Sequence, residues 1–407
     1  MRGLVLTPAS KTLLLTVKGH NLFSIIPYKN SLLKFSKAQS ARAYYKNHYI
    51  DLLSGEEHLF EIEGWINELD FPVLDHKYEK RFVHLFYELG FLFENLSEEI
   101  SSTELLAIDI TYSQTETITL HNKAKKIILS LKNAPHYHEY EAQFMEGYRE
   151  LQAGNCYQFN LTGEYNYSFV DDLDPEDFVA ALWGQNSGRG AYGSATYVEY
   201  LNKLFLSNSP ECLFQYKNES LITRPIKGTL KRESDDKEEI KKLWCELRDD
   251  KKSQGELYMI TDLLRNDLSR IDLPRSVVVK KKAPLLVPGL IHQFSEIEVK
   301  LRAHVTLKNI LEKMFPGGSI TGAPKKRVMQ ILKNLEKRSR GFYCGSTIVF
   351  SKGQVEASIN IRSSVVDFKK CSVNYQAGGG ITLLSQPQSE FEEMTYKHDS
   401  YIDILTL

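Results

Sequence analysis

The chain has 407 residues, enough for one large domain or two ordinary ones, with 42% hydrophobic and 25% charged side chains. Its 51 basic and 52 acidic residues balance, which excludes the strongly basic field of a protein built to bind nucleic acid. No run approaches the roughly 18 apolar residues of a membrane span, and the five cysteines are scattered without a C-x-x-C pair, so they read as free thiols of a reducing, cytoplasmic protein.

The first fifty residues carry eight basic side chains and no acid, the first carboxylate being Asp51. Acid-poor N-termini occur in transit peptides. Here residues 4–6, 13–17 and 22–26 read as strands and only two of the eight basic residues are arginine, so a folded basic subdomain is the stronger expectation. Short aromatic-rich segments at 58–62 and 105–110 continue a strand-dominated N-terminal subdomain over residues 1–135. Residues 81–90 are apolar enough to be buried.

From residue 136 to 407 the patterning is stronger. A helix over 140–151 stops at Ala153-Gly154. The alternation that follows places Tyr157, Phe159 and Leu161 on one strand face and Cys156, Gln158 and Asn160 on the other, which is either solvated or lines a cavity. A helix over 175–183 precedes strands at 192–200, 204–207 and 213–216, with Asn208-Ser209-Pro210-Glu211 as the turn or bulge between the last two. Lys227 stands between Ile226 and Gly228, an unusual place for an ammonium unless it is paired. Residues 234–252 read as an exposed charged helix. In the amphipathic segment 256–268, Asp262, Arg265, Asn266 and Asp267 sit beside apolar side chains, as in a buried polar network. His292, on a strand over 290–295, is either a core histidine or a functional one.

Residues 315–325, Phe-Pro-Gly-Gly-Ser-Ile-Thr-Gly-Ala-Pro-Lys, form a glycine-dense turn running into a helix patterned by Val328, Ile331, Leu332 and Leu335. Such a turn directs N–H groups and hydroxyls at one spot and suits an anion. Gly317 to Gly322 has the spacing of a nucleotide-binding loop, but Ala323-Pro324 stands where Lys-Ser/Thr should follow, so a carboxylate is the better ligand. Strands resume at 344–350, 357–366 and 372–376, with Arg362 in a small, apolar segment and Gly378-Gly379-Gly380 after them. In the final helix Glu390, Glu393 and Lys397 share a face. Two stacked carboxylates repel unless they face water or share a cation, and oxygen-only ligands favour Mg²⁺.

In order and spacing these motifs resemble the chorismate-utilising enzymes, which include the anthranilate, aminodeoxychorismate, isochorismate and salicylate synthases. The motifs are 156–161, 209–211, 225–229, 262–267, 315–325, 359–363, 377–381 and 390–397. The resemblance is continuous from about residue 140 onward and weak before 135. It implies an α+β fold of two antiparallel β-sheets packed as a sandwich, with helices outside. Anthranilate synthases carry alanine where this chain has Lys227, and aminodeoxychorismate synthases carry lysine. Water-adding members usually carry lysine at the position of Gln158.

The resemblance therefore implies amination of chorismate at carbon four, with ammonia from a glutamine amidotransferase partner, for p-aminobenzoate and folate biosynthesis. Anthranilate synthesis and a non-catalytic chorismate-binding subunit are the alternatives. It also implies roles: Lys227 as nucleophile, Glu211 as general acid and base, and His292 near the leaving group. Gln158, Thr321, the Gly322 amide, Tyr343, Arg362, Gly378, Gly379, Gly380 and Lys397 would contact substrate. Glu256, Glu390 and Glu393 would hold Mg²⁺. Three features depart from the family: Ser253 replaces an acidic outer-shell position, Cys212 replaces a common arginine, and no tryptophan-binding motif is recognisable.

Overall fold

The computed structural model describes residues 21–29, 31–69, 80–119, 125–170, 172–184, 189–232, 234, 236–271, 277–287, 290–302, 305–351 and 353–406. The strands expected at 4–6 and 13–17 lie outside these residues. The fold is α+β, and the strand pairings described are antiparallel throughout.

The strands form one continuous hydrogen-bonded path. From one end it runs through Leu290–Lys300, Ser220–Arg224, Cys212–Lys217, Gln354–Ile359, Ser346–Ser351, Arg81–Leu85 and Ala107–Ile118. It continues through Ser31–Tyr44, Leu22–Tyr28, Ser194–Val198, Lys203–Ser207, Ser363–Asp367, Ser372–Ile381 and Gln158–Ser168. Strands from the first 135 residues thus form the middle of the path, and the strands of the motifs that carry the resemblance lie towards its two ends.

Helices cover each end. The helix Lys325–Glu336 buries Val328, Ile331, Leu332 and Leu335, the positions its sequence period selects, against Phe159 and Leu161. The helix Tyr137–Gln152 joins this cluster through Tyr140, Phe144 and Leu151, and the helix Pro387–Thr406 through Met394, Tyr401 and Leu405. At the other end, Leu257, Ile260, Leu264 and Leu268 of the helix Lys251–Ser269 pack with Leu307, Ile310 and Leu311 of the helix Leu307–Met314.

Several local expectations change. Only residues 57–59 of the segment near 58–62 are strand, and Ile62–Glu68 is a helix whose Ile62, Trp65 and Ile66 enter the core. Cys156 is buried with Phe159 whereas Tyr157 is 70% exposed, because the strand begins only at Gln158. Asp262, Arg265 and Asn266 face solvent and only Asp267 is buried, so these residues do not form a buried network. The glycine triplet lies inside the strand Ser372–Ile381, and the expected strand 357–366 is broken at Arg362, whose φ is 50°.

Residues 81–90 are buried as expected, and they contain a polar tie. His84 places Nδ1 3.0 Å from the Thr347 hydroxyl and Nε2 2.9 Å from that of Thr196. Burial pushes its pKa from 6.5 down to about 3, so the fold requires the neutral ring. A depressed folded-state pKa gives stability that is complete above about 6.5 and is lost as pH falls toward about 3. The urea midpoint of the wild type is expected to fall through that window more steeply than that of His84→Gln, and superimposable profiles would refute the assignment.

Candidate active site

The two ends of the strand path meet around a cavity of about 130 Å³. One wall comes from Gln158 and Asn160 of the strand Gln158–Ser168 and from Gln376, Ala377, Gly378 and Gly380 of its neighbour Ser372–Ile381. Another comes from Glu211, just before the strand Cys212–Lys217, and from Lys227 in Ile226–Lys231. The helix Lys251–Ser269 contributes Glu256, and the helix Pro387–Thr406 contributes Glu390, Glu393 and Lys397. Tyr343, Arg362, Ser319 and Ile320 also line it.

The backbone around these side chains is well tied. Glu211 donates its N–H to the Ser209 hydroxyl at 3.1 Å and accepts from the Ile359 N–H at 3.0 Å. Burial raises its carboxyl pKa, while a Ser319 hydrogen bond and the charges of Lys227 and Lys397 oppose that rise. The strand carrying Lys227 is irregular between Lys227 and Thr229, where Gly228 has a φ of +79°. A Cβ on Gly228 would also lie 2.9 Å from Leu247 Cδ1 and Ser253 Cβ. Such an irregularity sets the direction of the neighbouring side chain.

Lys397 forms a 2.7 Å ion pair with Glu393 and donates to the Gly378 carbonyl at 2.9 Å. Burial lowers its pKa, Glu393 raises it, and Lys227 and Arg362 lower it further. Arg362 uses Nη1 to hold the Lys397 carbonyl at 2.9 Å and also donates to the Ser400 hydroxyl. Glu256, Glu390 and Glu393 face the same cavity with oxygen donors only. Among the described residues no three His, Cys, Asp or Glu side chains are grouped closely enough to hold a metal ion.

Of the residues singled out from sequence, Gln158, Glu211, Lys227, Glu256, Tyr343, Arg362, Gly378, Gly380, Glu390, Glu393 and Lys397 line the cavity. Thr321, Gly322, Gly379 and His292 are outside that lining. The Thr321 hydroxyl turns inward and donates to the Gly317 carbonyl at 2.9 Å. Gly322 pairs with Phe159, Gly379 sits against Glu390, and His292 pairs with Thr229, one residue from Gly228. Burial lowers the His292 pKa, as does Arg362, against a hydrogen bond to the Gly228 backbone.

Sequence reasoning missed Ser319, the member of the glycine turn that reaches Glu211, and Gln376. Gln376 could have been found two residues before Gly378 on the same strand face. It also missed Gln293, the cross-strand partner of Lys227, which is fully buried with both amide atoms lacking a hydrogen-bond partner among the described residues.

The chain belongs to the chorismate-binding enzymes, whose family model, described as "chorismate binding enzyme", matches residues 64–403. It is 35% identical over 263 residues to aminodeoxychorismate synthase component 1 of Salmonella typhimurium, a match covering 63% of this chain and 55% of that one. It is 30% identical over 260 residues to anthranilate synthase component 1 of Archaeoglobus fulgidus, covering 64% and 60%. The chain thus spans little more than half the length of these relatives. The fold is similar to anthranilate synthase component I of Streptococcus pneumoniae, with a TM-score of 0.74 at 18% identity covering 97% of this chain and 95% of that one. It is also similar to a 2,3-dihydroxybenzoate-specific isochorismate synthase of Bacillus anthracis, with a TM-score of 0.70 at 16% identity covering 95% and 96%.

Gly322 gives the site a direct stability test. Its φ is +138°, and a Cβ there would lie 2.0 Å from the Gln158 carbonyl oxygen. Gly341, with a φ of +62° and nothing within 4 Å of an added Cβ, reports the conformational cost alone, about 1–2 kcal/mol. Gly322→Ala is expected to lower the urea midpoint by clearly more than Gly341→Ala, and equal losses would show that the contact with Gln158 is relaxed at little cost.

Proposed function

We propose that this chain is a chorismate aminase of the aminodeoxychorismate type, making 4-amino-4-deoxychorismate with ammonia from a glutamine amidotransferase partner. The observation that carries the reading is that Lys227 and Glu211 line one cavity, with Gln158 in another of its walls. In its amine form, Lys227 uses the nitrogen lone pair to bond ring carbon two. The double bonds shift and the bond from carbon four to its hydroxyl breaks. Glu211 protonates the departing oxygen, which leaves as water.

Ammonia then bonds carbon four, the double bonds shift back, and the bond to Lys227 breaks. The Glu211 carboxylate takes the proton released from the incoming nitrogen. Chorismate and ammonia are converted to the amino product and water, with no oxidant or reductant. The raised pKa of Glu211 supports its acid role, because it keeps the proton available at a higher pH than an ordinary carboxyl does.

Arg362 and Lys397 supply cations for a substrate carboxylate, next to the backbone of Gly378 and Gly380. Glu256, Glu390 and Glu393 would hold Mg²⁺, which commonly takes one or two protein carboxylates and completes its shell with water and substrate oxygen. All three offer oxygen donors to the same cavity, but they are not gathered closely enough to hold one ion as they stand. When bound, the ion would neutralise charge around the other carboxylate.

The test is incubation with chorismate, ammonium and Mg²⁺, with products identified by mass. Aminodeoxychorismate is expected, and anthranilate alone would overturn the reading. Glu211→Gln is expected to lower kcat by about 10²–10⁴-fold, the usual span for a general acid. Lys227→Ala is expected to remove a substrate-protein adduct seen by intact-mass measurement of the wild type during turnover.

A further inference from the structure

Gln293, on the strand Leu290–Lys300, stands directly across from Lys227 of the strand Ile226–Lys231. Directly paired residues of antiparallel strands project from the same face of the sheet, with Cβ atoms roughly 4.5–5.5 Å apart. Lys227 lines the cavity, whereas Gln293 is outside that lining and 0% exposed, so its amide is sealed behind the wall that carries Lys227. Ser295, two residues further along the same strand face, accepts from the Thr261 hydroxyl of the helix Lys251–Ser269 at 2.9 Å. That helix also supplies Glu256 to the cavity.

Neither Oε1 nor Nε2 of Gln293 has a hydrogen-bond partner among the described residues. A buried amide left in this state pays the full desolvation cost of both donor and acceptor, so it needs an explanation. Its surroundings leave few candidates. Its cross-strand neighbour on the other side is Pro284, and Ile291 is its apolar neighbour along the strand face. The Ser295 hydroxyl donates to the Lys281 carbonyl at 2.6 Å, and Thr261 is engaged by Ser295 and the Leu257 carbonyl. The polar side chain that remains beside Gln293 is that of Lys227, which no hydrogen bond or ion pair holds among the described residues.

We propose that Gln293 is a positioning residue for Lys227, its amide hydrogen-bonding the Lys227 amino group and setting the direction from which that nitrogen meets substrate. The contact needs rotation of the long, flexible lysine stem and no movement of the two strands. An amide suits the task because it is neutral and two-sided. Its carbonyl accepts an N–H from an amine or an ammonium, and its NH2 group donates to the lone pair that only the amine has. A carboxylate at this place would hold the ammonium and withhold the lone pair, and an apolar side chain would hold neither form. This role rests on Lys227 being the nucleophile of the proposed reaction.

The test reads Lys227 first in the resting full chain, without turnover. The chain is treated with acetic anhydride near neutral pH, and acetylation of Lys227 relative to exposed Lys369 is measured by peptide mass mapping. Gln293→Glu is expected to fold and to lower that ratio by about tenfold or more, because the carboxylate pairs with the ammonium. Adding Lys227→Met to it should lower the urea midpoint further, since a buried carboxylate then loses its cation. Gln293→Leu deletes two unpaired polar atoms, so its urea midpoint is expected to equal or exceed that of the wild type. In the chorismate assay Gln293→Leu should nevertheless lower kcat by about tenfold, with KM changed by less than about threefold. Unchanged acetylation in Gln293→Glu, failure of that variant to fold, a lower urea midpoint in Gln293→Leu, or unchanged kcat in Gln293→Leu would each overturn the proposal. Absence of amination in the wild type would overturn the assigned reaction, and acetylation would still decide whether Gln293 holds Lys227.

Discussion

The buried pair of Arg340 and Glu336 is the interaction on which the walls of the cavity depend. Arg340 donates to Glu336 through Nε at 2.9 Å and Nη2 at 2.8 Å, and reaches the carbonyls of Ile320 at 2.9 Å and Asn160 at 2.6 Å. Glu336 also accepts from the Thr162 N–H at 3.1 Å and its hydroxyl at 2.7 Å. One guanidinium thereby joins the glycine turn, the strand carrying Gln158 and the helix that covers it. Burying two charges costs several kcal/mol per ion unless the geometry is good and the remaining donors and acceptors are used. Here the pair is surrounded by partners at those distances, so charge burial is converted into fixed relative positions for Ser319, Ile320, Gln158 and Asn160. A lysine could neutralise Glu336, but it has no planar fork to reach both carbonyls.

The cavity is fixed in place but not balanced in charge. Glu211, Glu256, Glu390 and Glu393 face it against Lys227, Arg362 and Lys397. A dicarboxylate entering such a space meets an excess of negative charge unless one carboxylate is protonated and a cation is added. Desolvation favours protonation of Glu211, and this supports its proposed part as acid. The three remaining carboxylates leave a negative charge that the proposed Mg²⁺ would offset, although they are not grouped as a metal site. Both readings follow from one electrostatic requirement.

Much of the cavity lining was legible because it carries residue types that are out of place in ordinary elements. Lys227 beside Ile226 and Gly228, the Gly378–Gly380 run, and the stacked Glu390 and Glu393 each conflict with a plain strand or helix reading. Their resemblance to a known family joined them into one site. The α+β class was legible from strand-rich patterning and that same resemblance. The continuous strand path was not, because nothing local in 22–28 or 81–85 specifies pairing with 194–198 or 346–351. Thr321 shows a different failure. A hydroxyl in a glycine turn reads as a ligand contact, but the turn carbonyl four residues back, that of Gly317, is its partner. Such local competition is a known habit of Ser and Thr.

The glycine turn itself is best understood through Arg340. A loop rich in glycine loses much conformational freedom on ordering, so composition alone does not explain why this one is rigid enough to form a wall. The Ile320 carbonyl held by Arg340, the Thr321 hydroxyl on Gly317 and the Gly322 pairing with Phe159 restrain three successive residues. Ser319, just before them, is therefore presented to Glu211 at a defined place. Glycine is needed at Gly322 for close approach to the Gln158 carbonyl, and that approach brings the turn into the wall containing Gln158. The turn's contribution to the proposed anion site lies in the position of Ser319 and Ile320 along the cavity, with Thr321 and Gly322 serving as the anchors behind them.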